Sequence, residues 1–353
     1  MEYDRRVIIL GIESSCDETA AAVVTDGPRG PRLLSSVVAS QMAVHRPYGG
    51  VVPELASRSH IRFITEVIEG AIKRSRVSLG RIDAVAATAG PGLPGSLLVG
   101  LTAGKAMAFL LAKPFIAVNH TEAHIYSAFL GEPGLRPPLL ALVASGGHTE
   151  LIAMPKIGVF RILGRTRDDA AGEAYDKVGK LLGLGYPGGP GVERLARGAR
   201  TATRLPVAHM KDGSLDFSFS GLKTAVRLAV PATKGRAARA ALAAGFERAV
   251  EEALAGRARD ALRSTKARTL VLAGGVAANG ALRDRLRAMT AELGVRLVVP
   301  APALCTDNAA MIAAAGWFLA KRRRFSPLDT PADSGWEAGG AVPSNPRPVE
   351  AHA

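Results

Sequence analysis

Two histidines, His120 and His124, stand four residues apart in the string HTEAH, at the start of a segment with a helical apolar pattern. Residues at i and i+4 project from one face of a helix, so both imidazoles could hold one metal cation. Pairs at this spacing also occur on helix surfaces and in packing positions, and the spacing alone leaves both interpretations open. A zinc peptidase of the HExxH type needs a glutamate directly after the first histidine. Glu122 instead follows His120 by two residues, about 200° around the helix, which disfavours proteolysis.

Three turns rich in glycine or small polar residues each follow an apolar strand. They are ESSCDET at residues 13–19, ASGGHTE at 144–150 and AGGVAANG at 273–280. Such turns present backbone N–H groups that can hold phosphate oxygens with no side chain in the way. One turn alone indicates little, because glycines serve tight turns more often than ligands. Three of them together predict a nucleotide held between two lobes.

The elements that must position these residues occur twice along the chain. VIILGIESSCDETAAAVV and LLALVASGGHTELIAM each have the pattern of a strand, a polar turn and a returning strand. The runs PFIAVNH and TLVLAGG are strands that lead into helices, and apolar spacing predicts a further helix at about residues 54–74. The repetition predicts an α/β protein of two related lobes. We place the N-terminal lobe at 1–126, with a returning helix at about 306–324, and the C-terminal lobe at 127–305.

The charge of the chain is strongly basic and unevenly distributed. The formal net charge is +14, and residues 325–353 contribute four acidic side chains and one basic one, so the first 324 residues carry +17. A folded body this basic favours a polyanionic partner, with nucleic acid before membrane. An arginine-rich composition by itself would produce the same excess.

Composition also limits the location and the order of the chain. Only two cysteines occur, Cys16 and Cys305, which predicts a reduced cytoplasmic protein without a disulfide scaffold. The long uncharged stretch at 84–104 is broken by Pro91 and Pro94, which is typical of a glycine-rich loop and not of a membrane span. Residues 325–353 are rich in Pro, Ser, Gly and Ala, and we expect a disordered tail there.

Nine motifs, in order from about residue 7 to about residue 321, together resemble the TsaD family, formerly described as O-sialoglycoprotein endopeptidases. The motifs are GIESSCDETAAAVV, HRPYGGVVPELASRSH, GPGLPGSLLVGLTAGK, VNHTEAHIYSAFL, SGGHTEL, DDAAGEAYDKVGKLLGLGYPGGP, FSFSGLKTAV, AGGVAANGALR and CTDNAAMIA. The resemblance implies the two-lobed fold of actin, Hsp70 and sugar kinases, the ASKHA fold, with duplicated ribonuclease-H-like lobes.

The resemblance also implies a metal site and a substrate site. Asp307, in CTDNAAM, would join His120 and His124 as the third ligand of one divalent metal. Two imidazoles and a carboxylate suit Fe(II) or Zn(II), and of the two we expect Fe(II). The phosphate and acyl end of an adenylate would lie on Val143, Ala144, Ser145, Gly146 and Gly147, and its adenosine would lie among Asp176, Gly189, Glu193 and Asn279.

Alternatives exist for individual residues. Without its motif, Asp176 would be a helix-surface acid paired with Lys177 or Lys180, and Glu193 a glutamate that stabilises the start of a helix. No general base can be named. Glu13 and Asp17, in the first turn, are candidates for catalysis or for orienting water, a cation or a partner.

The activity implied by the resemblance is transfer of a threonylcarbamoyl group from threonylcarbamoyl-adenylate to N6 of adenosine 37 in a tRNA anticodon loop, with release of AMP. It further implies ATP or that adenylate as ligand, and two protein partners: an inactive TsaB-like paralogue and a TsaE-like P-loop ATPase. The rival functions are a small-molecule kinase of the same fold and a nucleotide-gated scaffold without catalysis. Neither rival has a use for HTEAH.

Overall fold

The structure is a computed structural model, and it describes residues 6–208 and 210–345. Within this part of the chain ten strands form two five-stranded sheets. The strands are β1 Ile8–Glu13, β2 Glu18–Gly27, β3 Gly30–Ser40, β4 Ala84–Gly90, β5 Phe115–Asn119, β6 Leu139–Ala144, β7 Thr149–Lys156, β8 Val159–Arg165, β9 Thr269–Ala273 and β10 Arg296–Val298.

Eleven α-helices alternate with these strands in the described residues. They are α1 Met42–His45, α2 Pro53–Ser75, α3 Pro94–Leu110, α4 His120–Gly131, α5 Ala171–Leu181, α6 Gly188–Ala196, α7 Ser220–Ala229, α8 Gly235–Thr265, α9 Gly280–Glu292, α10 Pro302–Cys305 and α11 Ala309–Ala320. No described helix is both long and apolar enough to cross a membrane.

The chain divides into two compact units. Unit 1 contains the described residues up to Gln41, residues 53–126 and those from Asn308 onward, and unit 2 contains residues 42–52 and 127–307. We expected residues 42–52 in the N-terminal lobe, but they group with unit 2, where Gly49 lies next to Lys180. Each unit holds one of the two sheets.

The two sheets have the same topology. In unit 1 the order is β3-β2-β1-β4-β5, with β1 antiparallel to β2 and parallel to β4. In unit 2 the order is β8-β7-β6-β9-β10, with β6 antiparallel to β7 and parallel to β9. Each sheet thus consists of a three-stranded hairpin meander followed by two parallel strands that need helical crossovers. The duplication predicted from the strand-turn-strand patterns is confirmed.

The core of unit 1 forms around its central strand. Every residue of β1 is buried, and α11 packs against it so closely that a methyl group on Gly11 would lie 2.5 Å from the backbone nitrogen of Ala313. Helix α11 is apolar on all sides and buried from Ala309 to Gly316, as expected for a helix inside a core.

The core of unit 2 forms around α8, which has 31 residues. Its buried face carries Leu242, Phe246 and Val250, which pack in one apolar cluster with the strands β6 and β9. Glu247 is a charged exception on the same buried face, with 7% of its surface exposed.

Residues 326–345 differ from the disordered tail that composition predicts. Trp336 is buried in the core of unit 1, and its backbone oxygen accepts a 2.9 Å hydrogen bond from Nδ2 of Asn119. The backbone N–H groups of Ser326 and Asp333 donate to Phe115 and Ala89, on strands β5 and β4. Burial of one large aromatic and pairing of backbone groups at strand ends order a segment that has few apolar residues. The rest of that predicted tail, 346–353, lies outside the described residues.

Candidate active site

His120 and His124 lie on the first turns of α4 and are both buried, with 4% and 1% of their surface exposed. Their ring centroids are 4.8 Å apart, and the rings are close to perpendicular. Asp307 joins them, because potential ligand atoms of the three residues all lie within 4.8 Å of one another. Two imidazoles and one carboxylate at this separation could hold a transition metal and leave coordination positions open.

The position of Asp307 is set by the next residue in the chain, Asn308. It directly precedes Asn308, whose side chain caps α11 by accepting a 3.0 Å hydrogen bond from the backbone N–H of Met311. Because α11 is locked against β1 in the core of unit 1, Asp307 is held at a defined place beside α4, although 183 positions separate it from His124 in the sequence.

Glu13, at the end of β1, holds the ring of His120. Its Oε2 lies 3.0 Å from Nδ1 of His120 and accepts a 2.8 Å hydrogen bond from the Thr88 hydroxyl. Its Oε1 accepts a 2.5 Å hydrogen bond from the Ser15 N–H, and the carboxylate is fully buried. A carboxylate on one ring nitrogen fixes the tautomer and leaves the other nitrogen as the ligand atom. Glu13 is thus a positioning residue for His120.

Glu122 has a different environment from the two histidines that flank it. Its Oε1 accepts a 2.8 Å hydrogen bond from the backbone N–H of Gly339, in the C-terminal segment. Burial raises the pKa of Glu122 to about 7, against the lowering effect of that hydrogen bond. Glu122 is absent from the group of ligand atoms formed by His120, His124 and Asp307. The structure therefore agrees with the helical geometry that disfavours an HExxH peptidase.

A second candidate site is a cavity of about 180 Å³ inside unit 2. It is lined by residues of the two glycine turns after β6 and β9 and by residues of α5 and α6. Its lining includes Gly146, Asp176, Gly189, Glu193, Gly275 and Asn279.

The two turns meet because β6 and β9 are adjacent parallel strands, whose carboxyl ends lie at one edge of the sheet. Gly274 has φ of +89°, and a methyl group there would lie 2.3 Å from the carbonyl oxygen of Ala144. A methyl group on Gly146 or Gly147 would meet no atom within 4 Å, so both glycines leave space above the turn. The first turn of α5 lies against this loop, with the Gly172 N–H donating to Ser145 at 3.0 Å.

Asp176 joins the two helices that wall the cavity. Its Oδ1 accepts a 2.7 Å hydrogen bond from the backbone N–H of Gly188, at the start of α6. A surface role for Asp176 would make Lys177 one of its ion-pair partners. Lys177 pairs instead with Asp169 and Glu173. Asp176 is thus part of the cavity wall.

Glu193 and Asn279 meet at the start of α9. The side-chain oxygen of Asn279 caps α9 by accepting from the Leu282 N–H at 2.8 Å, and Glu193 Oε1 accepts from the Gly280 N–H at 3.1 Å. Glu193 is the sixth residue of α6, so it does not stabilise that helix start as its alternative proposed. It acts on the start of α9 instead.

Glu247 holds a residue of the cavity wall, Asn279, and was not predicted from the sequence. Its Oε1 accepts a 2.7 Å hydrogen bond from Nδ2 of Asn279, which leaves the Asn279 oxygen to cap α9. Burial raises the pKa of Glu247, against the effect of the Asn279 hydrogen bond. Its signal in the sequence is a lone charge beside apolar residues on the buried face of α8, between Phe246 and Val250.

Tyr175, also not predicted, lines the cavity and is 3% exposed. Burial raises its pKa well above the usual range, and the negative charges of Glu247, Glu251 and Glu193 act in the same direction. Its ring packs edge-on against Phe246. The phenol therefore stays protonated beside the cavity.

Other predicted residues do not line the cavity. Val143 and Ala144 are buried residues of β6, and Ser145 and Gly147 belong to the turn that contains Gly146. Asp17 lies in unit 1, where its backbone oxygen accepts from the Gln41 N–H at 3.0 Å. The substrate roles of the four residues at β6 and its turn stay predictions, and so does the catalytic or orienting role of Asp17.

The shared topology of the two sheets, with a cavity in unit 2 at the carboxyl ends of β6 and β9, is that of the ASKHA class of protein. The solved structure of HypF from T. kodakarensis is similar to this chain with a TM-score of 0.64, at 14% identity, over 91% of this chain and 49% of that one. An activator of 2-hydroxyisocaproyl-CoA dehydratase from Clostridium difficile is similar with a TM-score of 0.51, at 12% identity, over 90% of this chain and 97% of that one. These likenesses show the fold alone.

Within that class, the chain belongs to the TsaD family, tRNA N6-adenosine threonylcarbamoyltransferase, which matches residues 32–314. A member from Symbiobacterium thermophilum is 56% identical over 335 residues, 94% of this chain and 97% of the relative. A member from Geobacillus thermodenitrificans is 51% identical over 339 residues, 95% of this chain and 98% of the relative. Both carry the name tRNA N6-adenosine threonylcarbamoyltransferase. The resemblance carried by the nine motifs is confirmed.

Proposed function

We propose that this chain transfers a threonylcarbamoyl group from threonylcarbamoyl-adenylate to N6 of adenosine 37 in tRNA and releases AMP. Membership of the family supports the reaction. The observation in the structure that carries the proposal is the cluster of the buried His120 and His124 with the partly buried Asp307, since a sugar kinase or a nucleotide-gated scaffold has no use for such a cluster.

The three residues of that cluster fit one divalent metal. Their donor set is two imidazoles and a carboxylate, which suits Fe(II) or Zn(II), and we propose Fe(II). The metal, when bound, supplies Lewis-acid polarisation of an oxygen on the threonylcarbamoyl group. The chain's part is to hold the ligands: Glu13 orients His120, and Asn308 anchors Asp307 through the cap of α11.

The cavity in unit 2 is the proposed seat of the adenylate. Backbone N–H groups of the turn at Gly146 and Gly147 would bind its phosphate, and Asp176 and Glu193 would accept hydrogen bonds from ribose hydroxyls. Glu247 fixes the amide of Asn279 at the same cavity. Each of these groups would help to hold the threonylcarbamoyl-adenylate in place. Its binding energy would then serve to orient it for the transfer.

In the transfer itself the N6 amine of the tRNA adenosine attacks the carbamoyl carbon. The N–C bond forms, the bond from that carbon to the phosphate oxygen breaks, AMP leaves and the amine loses a proton. A base in a single-stranded anticodon loop is already unstacked, which lowers the cost of bringing it to the donor. We assign no general base, since the carboxylate of Glu13 is fully buried and engaged with His120.

Two protein partners complete the proposal: a TsaB-like paralogue and a TsaE-like P-loop ATPase. Both partners are supported by the resemblance of the sequence motifs to the bacterial type of the TsaD family. The deciding experiment combines the purified chain with tRNA, the adenylate and both partners, and measures the modified nucleoside and AMP. Equal amounts of the two products are expected. If ATP were instead converted to ADP together with a phosphorylated small molecule, and the tRNA stayed unmodified, the chain would be a kinase and the proposed function would be wrong.

A further inference from the structure

A second cavity in unit 2, of about 350 Å³, lies between α5 and α7 and has no role in the site described above. Four of its six lining side chains are basic, and we call it the α5–α7 cavity. It is lined by Lys177, Lys180, Leu181, Lys223, Thr224 and Arg227.

Two of the cations are held in place by one carboxylate. Asp169 accepts from Nζ of Lys177 at 2.7 Å through one oxygen, and from Nζ of Lys223 at 2.6 Å through the other. Lys177 also pairs with Glu173 at 2.7 Å. The shared carboxylate fixes two ammonium groups on opposite helices, which removes part of the entropy cost of ordering them around a ligand.

The other two cations, Lys180 and Arg227, are exposed and have no ion pair among the described residues. Counted together, four cations face two carboxylates at this cavity. The walls of the cavity therefore carry a net positive charge that no carboxylate at the cavity neutralises.

The segment that forms the cavity wall is rigidly attached to the rest of unit 2. Asp168 accepts hydrogen bonds from the hydroxyls of Ser218 and Ser220, at 2.5 and 2.6 Å, and from the Phe219 N–H at 2.8 Å. These bonds tie the start of α7 to the residues that precede α5. Asp168 and Asp169 together with FSFSGLK thus build a preformed basic surface, and none of these residues lines the adenylate cavity.

The loop that lies next to Lys180 carries an exposed aromatic residue. A methyl group on Gly49 would be 3.7 Å from Nζ of Lys180, so the loop at Gly49 borders the α5–α7 cavity. Tyr48, the preceding residue, has 60% of its surface exposed, and Arg46 in the same loop is exposed as well. Cations beside an exposed aromatic are the chemistry that binds single-stranded nucleic acid, with phosphates on the cations and a base on the ring.

We propose that the α5–α7 cavity, with Tyr48 at its border, binds phosphodiester groups of the tRNA substrate. This inference rests on the proposed function, because it assigns a surface to the tRNA that the transfer requires. The uncompensated charge of Lys180 and Arg227 gives affinity without sequence readout, and Tyr48 supplies stacking.

The test uses the full chain with its proposed partners and measures tRNA binding at a series of salt concentrations. In the double variant Lys180→Ala, Arg227→Ala, the slope of log K against log salt should become shallower by about 1.4 to 1.8, since each phosphate contributes about 0.7 to 0.9. The matched control is Arg322→Ala, Arg324→Ala, which removes two exposed charges at the end of α11. The control should change the slope by less than half as much.

A second arm separates stacking from charge. Tyr48→Ala should weaken tRNA binding about fivefold or more, and Tyr48→Phe should retain wild-type affinity, because base stacking on an aromatic ring contributes about 1 to 3 kcal/mol. Adenylate affinity and bound metal should be unchanged in every variant, since none of these residues belongs to either site.

The outcomes are distinguishable. If the Lys180 and Arg227 variant has the wild-type slope while the wild type modifies tRNA, this inference is wrong and the proposed function stands. If wild-type chain binds tRNA with the expected slopes but forms no modified nucleoside, the function is wrong and the surface stands. A third outcome is that the variant keeps its tRNA affinity but no longer binds a protein partner or inorganic phosphate. The cavity would then be a site for an acidic protein or a free anion, and the inference would be overturned.

Discussion

Oε2 of Glu13 lies 3.0 Å from Nδ1 of His120, and both side chains are buried although 107 positions separate them. A carboxylate in this position makes the imidazole a better ligand through its other nitrogen. Glu13→Ala should therefore weaken metal binding about 10- to 100-fold, which is the usual effect of removing such a partner. The measurement is metal affinity of the purified chain by competition with a chelator. Glu13→Gln, which keeps a hydrogen-bonding group, should lose less, and an unchanged affinity in Glu13→Ala would remove the positioning role.

The ligand set itself can be tested against its own helix. His124→Ala should lower bound metal and abolish transfer with the fold intact. Glu122→Gln, two residues away, should keep both metal and transfer, because Glu122 contacts Gly339 and not the ligand cluster. Metal content and modified tRNA are measured on the same preparations. Loss of transfer in Glu122→Gln with metal retained would point to chemistry at this glutamate.

The adenylate cavity makes a prediction about Gly147. A methyl group there meets no atom within 4 Å, so Gly147→Val should fold normally and act only by occupying the space above the turn. Affinity for the adenylate should fall about five- to a hundredfold, as for loss of a buried hydrogen-bonding partner worth about 1 to 3 kcal/mol. Calorimetric titration with a non-hydrolysable adenylate checks this, and Gly256→Val on α8, where a methyl also meets no neighbour, is the control.

Glu251 makes a prediction about pH and stability. Burial raises its pKa to about 7, and the nearby charge of Glu247 acts in the same direction. A carboxyl whose pKa is raised in the folded state opposes folding once it ionises, so its cost grows as pH rises from about 4.5 to about 7. Glu251→Gln should therefore stabilise the chain at pH 8 by about 1 to 2 kcal/mol and have little effect at pH 4. Urea unfolding at both pH values measures the difference, and equal effects at the two would exclude this cause.

The C-terminal segment at 326–345 should contribute to the stability of the chain, which its composition alone would not predict. Trp336→Ala should cost about 3 to 5 kcal/mol of unfolding free energy, because it removes a buried aromatic from the core of unit 1. Phe325→Ala, directly before that segment and 46% exposed, should cost less than about 1 kcal/mol. Denaturant unfolding gives both values. Similar small effects in the two variants would mean that residues 326–345 add no stability.

Local pattern in the sequence was enough for the features that a few neighbouring residues determine. The i, i+4 spacing of His120 and His124 placed both on one face of α4, since a helix has a fixed period, and it placed Glu122 elsewhere on that helix. Alternating strands and glycine turns predicted two related sheets, and nine motifs identified the family. All of these depend on residues close together in the chain.

Only the tertiary structure decided which distant residues meet. Glu13 reaches His120 because β1 and β5 lie in one sheet on either side of β4, and Glu247 reaches Asn279 because α8 packs on α9. The segment at 326–345 has too few apolar residues for its composition to predict order, yet one tryptophan finds a place in the core. Contacts across tens or hundreds of positions leave no periodic trace in one sequence, because their free energy comes from packing that forms only when the chain has folded.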